Sequence, residues 1–354
     1  MTKTRIGVAI GRFQPITAPQ FETVIVPAIN QNDATLVILG SSFKPRTPLN
    51  PFTADERVKM IRESISELRT EKEYGFAAIR DYLYDETQWL CDVQAAVNAF
   101  VKSLGLDRKA VEVTLYGAAL KGDKGFYGSF LSWNKSVMPL EGGELADLDV
   151  RNNIFEEVRT GEVSLDSWRE EVPAPTISHI ESWIAGEGAG HIVDEDTYIK
   201  NYVRATQTGK HAVIFQTTDA VVIYKGNILL IERGARPGRG QLALPGGFLK
   251  PELTLEQGAL KELREECRFR VSTDWIKDNY RFSHPDRSLR GRTITECFRI
   301  DVPDWKDLPS VKGGSDARRA QWFELQDVLD NRIGDMFEDH LDIIETMIKR
   351  KGAR

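Results

Sequence analysis

The stretch that most constrains this chain is Leu244-Pro245-Gly246-Gly247-Phe248-Leu249, followed by Lys261-Glu262-Leu263-Arg264-Glu265-Glu266. A paired-glycine turn leads into a helix. Thr254 followed by Gln257 reads as a reciprocal cap for that helix's N-terminus. Glu262, Glu265 and Glu266 then stand at i, i+3 and i+4 and share one helix face. Carboxylates so arranged repel one another. A solvated acidic face is the ordinary explanation of such a cluster, but a plain surface helix more often sets lysines among the acids. A divalent cation removes the repulsion, and hard carboxylate oxygens suit Mg2+ or Mn2+.

This stretch resembles the Nudix box, G-x5-E-x7-R-E-U-x-E-E-x-G-U with U aliphatic. Gly247, Glu262, Leu263, Glu265 and Glu266 fall on it. Three positions depart: the first Glu is Leu253, with Glu252 one residue early, the Arg is Lys261, and the last Gly is Arg268. In that box the first Glu and the Arg brace each other, so their joint change reads as a repacked support. The resemblance implies a divalent-metal site made by Glu262, Glu265, Glu266 and the carbonyl of Gly246.

At 354 residues the chain is long enough for two domains, each with its own core. A net charge of −6 argues against general binding to nucleic-acid backbones. Cys91, Cys267 and Cys297 lie far apart, with neither metal-ligand spacing nor a disulfide pattern. The opening residues read as a strand entering a turn rather than a signal peptide. No apolar run approaches the roughly 18 residues that span a bilayer. The expectation is a cytoplasmic protein without a membrane partner.

In the first half, Ile6–Ile10 and Thr35–Gly40 are apolar strands around a helical pattern over Phe21–Asn30. Strands are also expected at Ala77–Tyr82 and Val111–Gly117, separated by a helix near Trp89–Leu104. This order predicts an α/β domain with a parallel sheet and a ligand site at the strand ends. The residues resemble the nicotinamide-nucleotide (NMN) adenylyltransferases of the HxGH nucleotidyltransferase superfamily. Gly11-Arg12-Phe13-Gln14-Pro15 matches that family's first turn. Asn50-Pro51-Phe52-Thr53, Glu56-Arg57, Arg80-Asp81-Tyr82 and Trp89 continue the match. Its fold implication is a Rossmann-like nucleotidyltransferase. The catalytic signature departs from the family, because Thr17-Ala18-Pro19-Gln20 stands where H-x-G-H is expected. Gln20 can donate a hydrogen bond but cannot carry an imidazolium's charge. After Gly117 come Ala118-Ala119-Leu120-Lys121 instead of His, basic residues and Asp. The late phosphate motif keeps only Val150 and Arg151, with Asp147 and Asp149 beside them. No histidine precedes His179. Arg12, Gln14 and Arg151 are the nucleotide-binding candidates of a fold whose transfer site has eroded.

Between the halves, Trp168, Ile177, Ile180 and Trp183 read as packing residues, Gly186–Gly190 as a flexible joint, and Asp194–Arg204 as a connecting helix. The domains are therefore set at 1–183, a linker at 184–206, and 207–354. In the last of these, Thr218–Ile223 and Asn227–Glu232 form a hairpin signal, and Asp335–Arg350 reads as a closing helix. Arg233, Arg236 and Arg239 alternate with Gly and Pro up to Gln241, a basic loop suited to a diphosphate. The segment Phe282–Thr295, with Arg287 and Arg290, and Val311–Ala317 with Trp322 resemble Nudix domains fused to NMN adenylyltransferases. That family's usual substrate is ADP-ribose. The expected fold here is an α+β Nudix domain, an α/β/α sandwich.

The resemblance implies a Nudix hydrolase that cleaves ADP-ribose, or a related nucleoside diphosphate, to AMP and ribose 5-phosphate. Glu262, Glu265 and Glu266 would be catalytic, with Arg233, Arg236, Gln241, Arg287 and Arg290 binding substrate. Two alternatives stand beside it. One is a bifunctional enzyme that also makes NAD from NMN and ATP, which the missing histidines oppose. The other is a sensor of NAD metabolites, which would not need three aligned carboxylates. A homo-oligomer is compatible with the sequence.

Overall fold

The computed structural model describes residues 3–119, 129–139, 145–162, 168–304 and 307–350. Leu120 and Lys121, singled out after Gly117, lie outside the described residues. The chain divides into two compact units, Met1–Asp194 and Glu195–Arg354.

The first unit is a five-stranded parallel sheet in the order β3-β2-β1-β4-β5. Its strands are β1 (Thr4–Gly11), β2 (Ala34–Leu39), β3 (Glu73–Ala78), β4 (Val111–Ala119) and β5 (Asn134–Pro139). Side chains alternate across this sheet, as the pleat requires. Ile6, Val8 and Ile10 of β1 enter one core with Val93, Val97 and Val101, while Ala9 enters another with Ile25 and Ile29. The helical stretch after β1 is α1: Ala18–Gln20, a π-helical turn at Phe21–Ile25, then Val26–Gln31. Helices α2 (Ala54–Glu67), α3 (Glu86–Ser103), α4 (Leu145–Thr160) and α5 (Ala174–Ile184) complete the unit. Strand order reverses beside β1, which opens the crevice where such sheets take ligands.

Two expectations need correction. The strand expected at Ala77–Tyr82 runs at Glu73–Ala78 instead. Beyond it, Asp81 leaves the sheet to accept the Ser41 N–H and hydroxyl. The expected joint at Gly186–Gly190 is the start of a helix, α6 (Glu187–Thr206). Ala189, Ile192 and Val193 are buried there, and their burial outweighs the helix penalty of about 1 kcal/mol per glycine.

The second unit carries a mixed seven-stranded sheet with the path β10-β11-β6-β7-β12, to which β8 and β9 add. The strands are β6 (Phe215–Tyr224), β7 (Asn227–Arg233), β8 (Leu242–Ala243), β9 (Gly246–Phe248), β10 (Ile276–Phe282), β11 (Thr293–Asp301) and β12 (Ala317–Glu324). The expected β6–β7 hairpin turns through Lys225 and Gly226 at φ 47° and 79°, the tight turn that a strand's twist favours. Helices α7 (Leu255–Cys267), α8 (Leu325–Leu329) and α9 (His340–Lys349) follow. The apolar α7 residues Ala259, Leu263 and Cys267 share a core with Ala220, Val222 and Leu229. No helix among the described residues is long and apolar enough to cross a membrane.

Candidate active site

Helix α7 starts where the sequence places it. The Thr254 hydroxyl accepts the Gln257 N–H while the Gln257 amide oxygen accepts the Thr254 N–H. The box position that usually holds Gly is the C-cap Arg268, at φ 54°, a left-handed backbone in which glycine carries no steric penalty. The paired glycines are there because side chains would not fit. A Cβ on Gly246 would lie 2.1 Å from Asp219 Oδ1, and one on Gly247 would lie 3.0 Å from the Glu262 carboxyl carbon.

These elements wall a cleft of about 490 Å³. Glu262, Glu265 and Glu266 line it together, on the face that their spacing implies. Glu266 is 5% exposed and accepts the Gly246 N–H at 2.9 Å. Burial pushes its carboxyl up to about 8, against that hydrogen bond. Burial also raises Glu262. Glu265 is more exposed and is ion-paired to Lys261, which lowers its pKa. Lys261, at the box's Arg position, also stands 3.6 Å from Glu262. It braces the acids themselves instead of a first box Glu.

Among the described residues, no three His, Cys, Asp or Glu side chains are gathered closely enough to hold a metal ion as they stand. The cause is local. Glu266 is turned to Gly246, and Glu265 to Lys261.

The opposite wall is cationic and aromatic. Arg233 lies over the Phe337 ring at 3.9 Å, and its Nε donates to the Pro237 carbonyl at 2.9 Å. Burial, followed by the nearby Arg290, lowers its pKa. Arg290 lies near the Phe248 and Phe337 rings, at 5.3 and 5.8 Å, with its buried Nε unpartnered and one terminal nitrogen 3.9 Å from Glu338. Arg236 lines the cleft and stands 3.6 Å from Glu195. Two expected substrate contacts are placed differently. Arg287 lines the cleft, but its Nε and one terminal nitrogen donate to the two oxygens of buried Asp339, each at 2.9 Å. Gln241 does not line the cleft. Its backbone closes the arginine loop onto Arg233 and Gly238.

Several residues of the cleft escaped sequence reasoning. Asp219 on β6 is 5% exposed and accepts the Thr295 hydroxyl at 2.5 Å. Burial raises its carboxyl to about 6. Its signal was an acid directly before the apolar run Ala220–Ile223 of the strand. Glu338 lies in the left-handed region, at φ 44°, and accepts from the Ser288 hydroxyl at 2.8 Å. Tyr198 and Tyr202 of α6, with Phe248, add aromatic surface. His340 lines the same cleft.

In the first unit the altered signature has a structural use. The Thr17 hydroxyl accepts the Gln20 N–H, and Gln20 Oε1 accepts the Thr17 N–H, capping α1. Gln14 is fully buried, and both ends of its amide bond the Phe52 backbone. Both polar ends of this expected nucleotide-binding residue are thus already bonded within the fold. Arg151, 4% exposed, is paired to Asp147 at 2.7 Å and donates to the Gln14 carbonyl. Its charge is thus already matched, and Asp147 serves as its partner rather than repelling a ligand. Arg12 is exposed at the end of β1, and Asp149 is exposed on α4.

Comparison with known proteins adds independent findings. The profile of the Nudix domain family matches residues 215–346. An ADP-ribose pyrophosphatase of Methanocaldococcus jannaschii is 32% identical over 159 residues, 44% of this chain and 88% of that protein. A nicotinamide/nicotinic acid mononucleotide adenylyltransferase of Acinetobacter baylyi is 35% identical over 96 residues, 27% of this chain and 50% of that protein. The chain thus spans about half the length of that second relative. A bifunctional NMN adenylyltransferase/ADP ribose pyrophosphatase from Francisella tularensis, complexed with AMP and a Mn ion, superposes with a TM-score of 0.85 at 24% identity. The superposition covers 98% of this chain and 99% of that one, and it establishes the fold: a nucleotidyltransferase-like domain followed by a Nudix domain.

Proposed function

The chain belongs to the Nudix family, and from that premise we propose that its second unit hydrolyses the diphosphate of ADP-ribose to AMP and ribose 5-phosphate. One observation carries the reading: a single cleft sets the acidic face of α7 against Arg233, Arg236, Arg287 and Arg290, with aromatic rings beside them. That layout matches a ligand with a diphosphate between two nucleoside-like ends. The likeness to a protein named ADP-ribose pyrophosphatase supports the choice of substrate.

The donor set fits a divalent cation. Asp219, Glu262, Glu265 and Glu266 supply only hard oxygens, and burial raises three of them, so that a cation would relieve their charge. Glu262, Glu265, Glu266 and the Gly246 carbonyl would hold Mg2+ or Mn2+. When bound, the cation supplies Lewis acidity and a lowered pKa for coordinated water. The chain's own residues do the rest. Arg233 and Arg290 grip phosphate oxygens. Arg287, held by Asp339, fixes the wall on which they stand. Phe248, 41% exposed, and Tyr202 offer faces on which a base can stack. Tyr198 and Tyr202 line the cleft from within the segment 184–206. The first unit, on this proposal, keeps the nucleotidyltransferase fold without its transfer chemistry.

The test is hydrolysis of ADP-ribose by the full chain with Mg2+. The Glu262→Gln/Glu266→Gln variant is expected to lose turnover by a factor of roughly 10² or more. Unchanged turnover in the folded variant would remove the site.

A further inference from the structure

His340 is a buried imidazole that the hydrolytic reading leaves without a task. It opens α9, is 6% exposed, and accepts the Leu244 N–H through Nδ1 at 2.9 Å. A ring nitrogen that accepts carries no proton, so the neutral ring has its proton on Nε2. Burial, aided by Arg287, Arg233 and Arg290, holds the pKa well below the usual imidazole value.

The ring cannot easily turn. The Leu244 bond extends a ladder in which Leu242 N–H donates to the Asp335 carbonyl and Phe337 N–H to the Leu242 carbonyl, each at 2.8 Å. Phe337 meets the ring edge-on, with centroids 5.3 Å apart. His340 nonetheless lines the cleft, with the arginines that face the acidic helix. Leu244 occupies its Nδ1, and Nε2–H is the ring's remaining polar edge.

We propose that His340 is a catalytic residue of this cleft, donating an uncharged hydrogen bond from Nε2–H to an oxygen of the substrate diphosphate, with Leu244 N–H fixing the tautomer. The proposal rests on the cleft being a diphosphate site. The chemistry favours an uncharged donor. A further positive charge beside Arg233, Arg287 and Arg290 would be repelled, whereas a preorganised neutral N–H still strengthens as negative charge gathers on the leaving phosphate.

Two variants separate this role from mere support of the Leu244 turn. Asn in His340→Asn can still accept the Leu244 N–H through Oδ1 but is too short to reach the Nε2 position. Leu in His340→Leu loses both bonds. His340→Asn is expected to melt close to the wild type and to lose about 10²-fold in kcat on ADP-ribose. His340→Leu is expected to lose both stability and turnover. Wild-type kcat in His340→Asn would overturn the proposal and leave a structural histidine.

A second measurement does not depend on turnover. Side-chain 15N spectra of the full chain contain five histidines, and His340 is assigned by its loss in His340→Asn. The expected pattern is the neutral Nε2–H tautomer, with Nε2 shifting as inorganic diphosphate is added. An Nδ1–H tautomer, or no shift at saturating diphosphate, would overturn the proposal. A wild-type chain that does not hydrolyse ADP-ribose would instead sink the substrate reading, and the diphosphate titration would still decide the role of His340.

Discussion

Glu266 shows how a site residue is held at a cost to the fold. Its carboxyl is buried with one backbone N–H as partner, and burial moves it to about 8. An uncharged amide of the same shape keeps an acceptor for Gly246 N–H and avoids burying charge. Glu266→Gln should therefore melt no lower than the wild type without added metal, while ADP-ribose turnover collapses. A drop of several degrees on thermal melting would contradict this account. Arg290 makes the complementary case. Its guanidinium lies 5.3 Å from the Phe248 ring and 5.8 Å from the Phe337 ring, and an ammonium does not reproduce a planar, delocalised cation's contact with aromatic faces. Arg290→Lys is expected to raise KM for ADP-ribose roughly tenfold, about 1.4 kcal/mol, with kcat less affected. An unchanged KM would place the substrate elsewhere. The acids of α7 were legible because local spacing puts them on one face. His340 and Asp339 were not, since their partners, Leu244 and Arg287, lie 96 and 52 residues away in sequence.

At the scale of elements, capping chemistry was readable and glycine was misleading. Thr254 and Gln257 announce α7, and the same reciprocal bonding at Thr17 and Gln20 starts α1. The glycines of α6 suggested a joint, but helicity there is decided by neighbours such as buried Ala189, which composition does not reveal. A Cβ at Gly188 or Gly190 would meet nothing within 4 Å. Gly188→Ala and Gly190→Ala should each stabilise the helix by up to about 1 kcal/mol. A lower melting temperature in either would point back to a joint. In the first unit, Glu157 of α4 accepts from the Trp168 indole at 2.7 Å and from Arg169 at 2.9 and 3.0 Å. Arg169 in turn reaches Glu181 of α5. The Arg169 bonds hold Glu157 below its usual 4.5. A depressed carboxyl stabilises the fold at pH above the unfolded value, and that contribution fades as pH falls through the folded one. Glu157→Gln should thus cost about 2 kcal/mol at neutral pH and progressively less in acid, below pH 4.5. A gap between variant and wild-type melting temperatures that does not change with pH would refute the linkage.

Over the whole molecule, the two units stand at different distances from the chemistry their folds suggest. The sheet order around β1 and the likeness to the Francisella enzyme give the first unit a nucleotidyltransferase architecture. The residues meant for transfer are committed elsewhere. Thr17 and Gln20 cap a helix, Gln14 clamps Phe52, and Arg151 is matched by Asp147. No histidine precedes His179, whose Nε2 lies 2.8 Å from a Glu63 oxygen, and Gln20 would have to give up its cap to approach a triphosphate. The departure from the nucleotidyltransferase family's signature was legible in the sequence as missing histidines. The bonding at these positions was not, because Gln14 meets Phe52 across 38 residues and Arg151 meets the Gln14 carbonyl across 137. The expectation is that the full chain carrying Glu262→Gln, which spares any NAD from hydrolysis, forms no NAD from NMN, ATP and Mg2+ at a catalytic rate. Gln20→His alone should not restore it, since Arg151 remains paired and Gln14 remains buried. Steady NAD formation by the Glu262→Gln chain would mean that exposed Arg12 and its neighbours support a rewired transfer, and the first unit would have to be counted as a second enzyme.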